Sequence, residues 1–188
     1  MRTAVTTYHL EMRDPGDLRP SRPPRADLEV RQARAPCPEL NRFFYTAVGG
    51  DWFWIDRLKW SYERWLSYLD RPELETWIGF TAGTPAGYFE LEAQLGSNVE
   101  IVYFGLLPQF TGQGLGGMLL TAAIERAWQM GPTRVWMHTC SLDHPSALAN
   151  YLARGFRIFK EEVAHEDLPN EAPGPWPGSG KKHHNPKR

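Results

Sequence analysis

The sequence predicts a mixed α/β fold, a central and mostly antiparallel sheet of about six to seven strands flanked by about four helices. Three observations predict it. Two β-rich runs at 74–81 and 87–95 are separated by Ala-Gly-Thr-Pro-Ala, and a third at 98–107 follows Gly96-Ser97, which together read as an antiparallel meander. Leu115, Met118, Leu119 and Ala122 then fall on one helical stripe. Beyond Gly131-Pro132 the pattern alternates strand, helix and strand.

Each element can be justified in chain order. Residues 3–12 and 28–34 alternate in character and read as strands, joined by 13–26, whose four prolines and one glycine mark a long surface connection. Residues 38–70 are dense in aromatic side chains from Phe43 to Tyr68 and are interrupted by Gly49-Gly50, so they read as two helices around a glycine hinge. After the meander a helix of about four turns is expected between Gly112 and Gly131. Residues 134–139 form a short strand, 145–154 a short helix opened by Pro145 and closed by Gly155 at C′, and 156–163 a last strand. The order is ββααβββαβαβ. One domain is expected over 1–168 with its core at 28–163, while 169–188, rich in proline and glycine, cannot bury enough apolar surface to offset its ordering entropy and reads as a disordered tail.

Lys plus Arg number 21 against 22 Asp plus Glu, a formal charge of -1 over 188 residues. Such a balance provides no global attraction to phosphate polymers or anionic lipid, so neither a nucleic-acid nor a membrane role is expected. No apolar stretch approaches the roughly 20 residues of a membrane helix, and the amino terminus has no apolar leader core, which together predict a cytoplasmic location. Cys37 and Cys140 have neither disulfide-scaffold nor ligand-like spacing and read as small apolar fillers. No metal site is expected.

The strongest chemical signal is the turn Pro108-Gln109-Phe110-Thr111-Gly112-Gln113-Gly114-Leu115-Gly116-Gly117, between a strand and the long helix. Glycines let backbone N–H groups converge there, and the positive end of the helix dipole adds to them, so a phosphate or pyrophosphate can bind without a cationic side chain. A Walker-type loop would need Lys-Ser/Thr after its last glycine, where this chain continues Gly-Met-Leu. Gly112, Gly114 and Gly117 match the dinucleotide spacing GxGxxG, yet the next strand offers no acidic residue for a ribose and the preceding strands form an antiparallel meander.

The turn resembles the cofactor loop of the GNAT acyltransferase superfamily, Arg/Gln-x-x-Gly-x-Gly/Ala after a strand ending in proline: Leu106-Leu107-Pro108 holds the strand end, and Thr111 stands at the Arg/Gln position before Gly112-Gln113-Gly114-Leu115-Gly116. Downstream, the run from Ala147 through Tyr151 to Gly155-Phe156 resembles the family's Ala-x-x-x-Tyr-x-x-x-Gly-Phe, and His144 stands where relatives often carry asparagine. The likeness implies acetyl-CoA as the cofactor, with Leu106, Leu107, Thr111, Gly112, Gln113, Gly114, Leu115, Gly116, Gly117 and His144 holding it. It also implies transfer of the acetyl group to a primary amine of a small molecule or peptide by direct attack.

Such a transfer needs a base, a proton for the departing sulfur and donors for developing oxyanion charge. A free alkylamine has a pKa near about 10.4, so a group near the acyl carbon must take its proton. Glu100, in Glu100-Ile101-Val102-Tyr103, resembles the glutamate base of the histone-acetylating branch, and Glu90, Glu92 and His138 are the substitutes. Tyr151 is the expected acid, since a phenol keeps its proton at neutral pH. A backbone N–H near Leu106 or Leu107, freed by a bulge, is the expected oxyanion donor. Asp51, Trp52 and Trp54, beside Gly49-Gly50, are expected to line the acceptor pocket, with ring faces and a carboxylate attracting an ammonium group. The competing readings are a non-catalytic acyl-CoA-binding sensor and a partner-binding domain whose aromatic face packs in a homodimer.

Overall fold

The computed structural model describes residues 2–22 and 27–176. Seven strands form one sheet: β1 (Arg2–Met12), β2 (Glu29–Ala33), β3 (Leu74–Thr81), β4 (Thr84–Gln94), β5 (Asn98–Leu106), β6 (Arg134–Cys140) and β7 (Arg157–Asp167). Four helices accompany them: α1 (Pro38–Gly49), α2 (Tyr62–Leu69), α3 (Leu115–Gln129) and α4 (Ala147–Ala153). The element order matches the expected ββααβββαβαβ.

Local chemistry accounts for most boundaries. Proline opens α1 at its first position, and Ser61 Oγ accepts from the Arg64 N–H to cap α2. The β3–β4 turn is tighter than expected: strand pairing continues to Thr81 and Thr84, so only Ala82 and Gly83 lie in the loop, both at positive φ (48° and 75°). That is the geometry whose twist matches a two-residue hairpin, and β4 therefore starts before Pro85.

The sheet order is β2-β3-β4-β5-β6-β1-β7. The amino-terminal strand lies between β6 and β7, antiparallel to both, at the far end of the sheet from β2. The connection from β1 to β2 must therefore cross a face of the sheet, and its described residues 13–22 run over α3 and α4. Ser21 donates its N–H to Thr121 Oγ1, Arg19 donates its N–H to the Arg154 carbonyl, and Leu18 packs on the core. Two glycines permit this crossing: a Cβ on Gly155 would sit 2.0 Å from the Asp17 carbonyl oxygen, and one on Gly117 would sit 2.6 Å from Ser21 Oγ.

The larger core lies under α3 and α4, where Leu10, Phe89, Leu91, Ile101, Val135 and Met137 meet Leu119, Ile124 and Tyr151. On the opposite face Phe44 and Val48 of α1 pack on Ile78, Tyr88 and Leu107. The proline-rich end differs from the expected tail at its start: Ala172 is buried and the Gly174 N–H donates to the Gly50 carbonyl at 2.9 Å. Composition alone cannot reveal such a contact, because it joins two side-chain-free backbones. Residues 177–188 lie outside the described residues. No helix among the described residues is long and apolar enough to cross a membrane.

Candidate active site

β5 and β6 run parallel, and their described pairing covers only Asn98–Arg134, Val99–Val135 and Glu100–Trp136. Past Glu100 the strands separate, and a cleft of about 690 Å³ opens between them. Its floor comes from Ile101 to Leu106 on one strand and from Met137, His138 and Cys140 on the other. The start of α3 closes one end and the loop carrying Trp52 to Asp56 walls the other, with Val5 and Thr7 of β1 beside it.

The glycine turn stands at one mouth of this fork. Gly112 and Gly114 have φ of +77° and +80°, the left-handed region that side chains resist, and Gly114 is the cap from which α3 starts. Gly116 keeps the approach open, since a Cβ there would have no neighbour closer than 3.6 Å. Thr111, Gly112, Gly116, Gly117 and Leu106 line the cleft, as do His144 and Asn150. Gln113 is turned away, its amide donating to the Gln109 carbonyl, and the Leu115 side chain is buried in the core.

Leu107 departs from expectation. Its N–H donates to the Ala86 carbonyl at 2.8 Å and its side chain packs on the α1 face, so it offers no amide to the cleft. The irregularity in the β4–β5 ladder falls instead at Glu90/Leu91, which pair with Tyr103 and Ile101 and leave Val102 as the extra residue.

Tyr151, on α4, lies in the cleft with its ring edge-on to Phe104 at 6.0 Å. Burial, and then the Asp143 and Cys140 groups, push its phenol well above the ordinary range, so it stays protonated. Cys140 is a neutral thiol, its pKa raised to about 11 by burial and by Asp143.

Glu100 and His138 occupy adjacent strands at the apex of the fork. His138 Nδ1 lies 3.4 Å from Glu100 Oε1, and Gln94 Nε2 donates to the other carboxylate oxygen at 2.7 Å. His138 lines the cleft while Glu100 is buried behind it, so the residue in reach of an acceptor is the histidine. The hydrogen bond that His138 donates to Glu100 raises the imidazole pKa despite the opposing effect of burial. The other carboxylates considered are taken up elsewhere. Glu90, fully buried, accepts from Asn41 Nδ2 at 2.9 Å, Tyr68 Oη at 2.8 Å and Arg57 Nη1 at 3.1 Å, and Glu92 pairs with Arg71 at 2.6 Å.

The aromatic stretch divides between structure and cleft. Arg57 sits over the rings of Tyr68, Tyr103 and Trp60, at 4.0, 4.4 and 4.7 Å from their centroids, so the chain's own guanidinium fills that cage. Burial alone would lower its pKa, yet the Glu90 charge overrides this and holds it positive. Trp52 and Trp54 line the cleft, and Asp51 does not. Trp54 lies 4.7 Å from Tyr103 with the two rings tilted by 60° and donates to Asp143 Oδ1 at 3.3 Å, while Trp52 meets His144 edge-on at 5.1 Å. Val5, Thr7, Asp56 and Glu166 line the cleft as well. Nothing local in β1 or β7 marks the last strands' contribution, because it depends on β1 lying next to β6.

The cleft thus joins a glycine turn at a helix start to a fork between parallel strands, with a tyrosine on one side and a carboxylate-backed histidine at the apex. The chain belongs to the acetyltransferase (GNAT) family, whose model matches residues 30–156. Solved structures with this fold include a GCN5-related N-acetyltransferase from Kribbella flavida, 20% identical, with a TM-score of 0.62 over 86% of this chain and 58% of that one. Another is the GCN5-related N-acetyltransferase from Sphaerobacter thermophilus, 15% identical, with a TM-score of 0.64 over 86% of this chain and 51% of that one. A third is the aminoglycoside acetyltransferase meta-AAC0020 from an uncultured soil metagenomic sample, 16% identical, with a TM-score of 0.58 over 76% of this chain and 95% of that one. The chain spans between about half and three fifths of the first two. No curated protein matches the sequence. Family membership supports acyl transfer from an acyl-CoA in general. Among the described residues no group of three or more His, Cys, Asp or Glu could hold a metal ion.

Proposed function

We propose that this protein is an acetyl-CoA-dependent N-acetyltransferase acting on a primary amine. The observation that carries the reading is a single continuous cleft with the glycine turn at one end, the aromatic wall at the other, and Tyr151 and His138 between them. The residues present fit acetyl-CoA. Left-handed Gly112 and Gly114 shape the turn at the start of α3, and a Cβ on Gly112 would meet no atom within 4 Å, so a group can approach the backbone there. Thr111, Gly112, Gly116 and Gly117 would hold its diphosphate, with Leu106, Asn150 and His144 along its arm. When bound, this cofactor supplies an activated acyl thioester.

The protein's own groups then handle two protons. With Nδ1 turned to Glu100, His138 keeps Nε2 as the nitrogen that can accept a proton from an ammonium or amine at the apex of the fork. Glu100 acts through His138, stabilising its charged form and fixing its ring, so it is a positioning residue. Tyr151 Oη keeps a proton across the neutral range and stands on the opposite side of the cleft, where a leaving sulfur can take it.

The reading is tested by thiol release from acetyl-CoA in the presence of an amine panel, alongside calorimetry with coenzyme A. Amine-dependent thiol release with measurable cofactor binding is expected. Cofactor binding without amine-dependent release would favour an acyl-CoA sensor, and no binding at all would remove both readings.

A further inference from the structure

The acceptor half of the cleft is aromatic and acidic, and its imidazoles are His138, turned to Glu100, and His144, edge-on to Trp52. Trp52, Trp54, Tyr45 and Tyr103 supply flat apolar surface, and among the described residues none that lines the cleft is lysine or arginine. Three lining residues are carboxylates: Asp56, Asp143 and Glu166. Asp143 is used up within the fold. Its Oδ1 accepts from Trp54 Nε1, and its Oδ2 accepts from Thr139 Oγ1 at 2.6 Å and from the Cys140 N–H at 3.1 Å. Asp56 and Glu166 are exposed, and the ion pairs among the described residues involve neither. The side of Tyr103 toward Trp60 and Tyr68 is closed by Arg57, so the surface left for a ligand is a slot beside Trp54 and not an enclosing cage.

We propose that the acceptor is an aryl- or alkylamine, one ammonium group carried on a flat apolar body with no carboxylate beside the amine. An amino acid of the same shape would carry its carboxylate into a slot with two free negative charges and no arginine or lysine to receive it, which is repulsive and desolvating at once. A hydroxyl-rich sugar amine would press polar groups against Trp52, Trp54 and Tyr45, where the rings cannot satisfy them. A single ammonium meets ring faces and carboxylates, both favourable to it. The turnover part of this inference rests on the transferase reading; the binding part stands without it.

The discriminating experiment uses matched pairs on the full chain: calorimetric titration with tryptamine, tryptophan, phenethylamine, phenylalanine and kanamycin, with thiol release from acetyl-CoA measured for each. Each amine is expected to bind at least about tenfold more tightly than its carboxylated partner, with kanamycin weaker still. Asp56→Asn and Glu166→Gln are each expected to weaken tryptamine by up to about fivefold while leaving tryptophan unchanged or improved. Tryptophan binding as well as tryptamine, or kanamycin binding best, overturns the proposal, whether or not the variants fold. Tryptamine bound selectively without thiol release would keep the amine slot and refute the transferase. Thiol release with kanamycin alone would do the reverse.

Discussion

His138 Nδ1 lies 3.4 Å from Glu100 Oε1, just past the last rung at which β5 and β6 still pair. Trp136 is the parallel partner of Glu100, and His138, two residues further along, projects from the same face of β6 as its strand leaves β5. The strand fork therefore places an imidazole in the cleft with a buried carboxylate behind it.

This contact sets a pH dependence. Glu100 raises the His138 pKa above its ordinary value, and only the neutral imidazole can accept a proton. The rate should therefore rise with pH through that raised value, and Glu100→Gln should move the limb toward lower pH. His138→Gln should lower kcat by about a hundredfold or more, the usual worth of a positioned base. A profile unmoved by Glu100→Gln would exclude the pair. The same contact also affects stability, with the sign set by the raised folded pKa. Its contribution is fully present below the unfolded pKa of about 6.5 and is lost as pH rises through the folded value, which urea titrations of wild type and Glu100→Gln would read.

Tyr151→Phe removes one hydroxyl and keeps the ring against Phe104. Turnover should drop by about a hundredfold while coenzyme A affinity by calorimetry stays within a factor of about two. Loss of cofactor affinity instead would make Tyr151 a packing residue.

Gly49→Ala probes the acceptor wall from behind. A Cβ there would fall 2.0 Å from Trp54 Cδ2, so the indole must move. The φ of Gly49 is -91°, so backbone strain plays no part. The expected outcome is a raised KM for the amine with cofactor affinity retained, and unchanged amine kinetics would remove Trp54 from the acceptor site.

Arg57→Ala tests the filled cage. Glu90 would remain fully buried with Asn41 and Tyr68 as donors but no counter-charge. Stranding one charge of a buried pair costs about 3–5 kcal/mol, so the midpoint of urea unfolding should fall steeply. An unchanged midpoint would mean that the pair is not energetically coupled.

The sequence legibly carried whatever is encoded over short distances. Turn residues at Gly83, Gly96 and Gly131, the Pro38 start of α1, the periodicity of α3 and the glycine turn at 112–117 are each set by a few neighbouring residues, and they placed every strand and helix in order. Tyr151, Trp52 and Trp54 were likewise readable as cleft residues from local pattern and resemblance. Nothing local to Glu100 shows that β5 and β6 part beyond it and leave His138 lining the cleft in front. The docking of Gly174 on Gly50 is not legible in the carboxy-terminal segment, because the two lie more than a hundred residues apart. Only the tertiary structure decided that β1 crosses the sheet to lie beside β6, that Arg57 fills the ring cage, and that Glu166 faces the same cleft as Asp56. These are pairings between distant segments. Their energies come from burial and charge compensation that exist only once the sheet has closed around them.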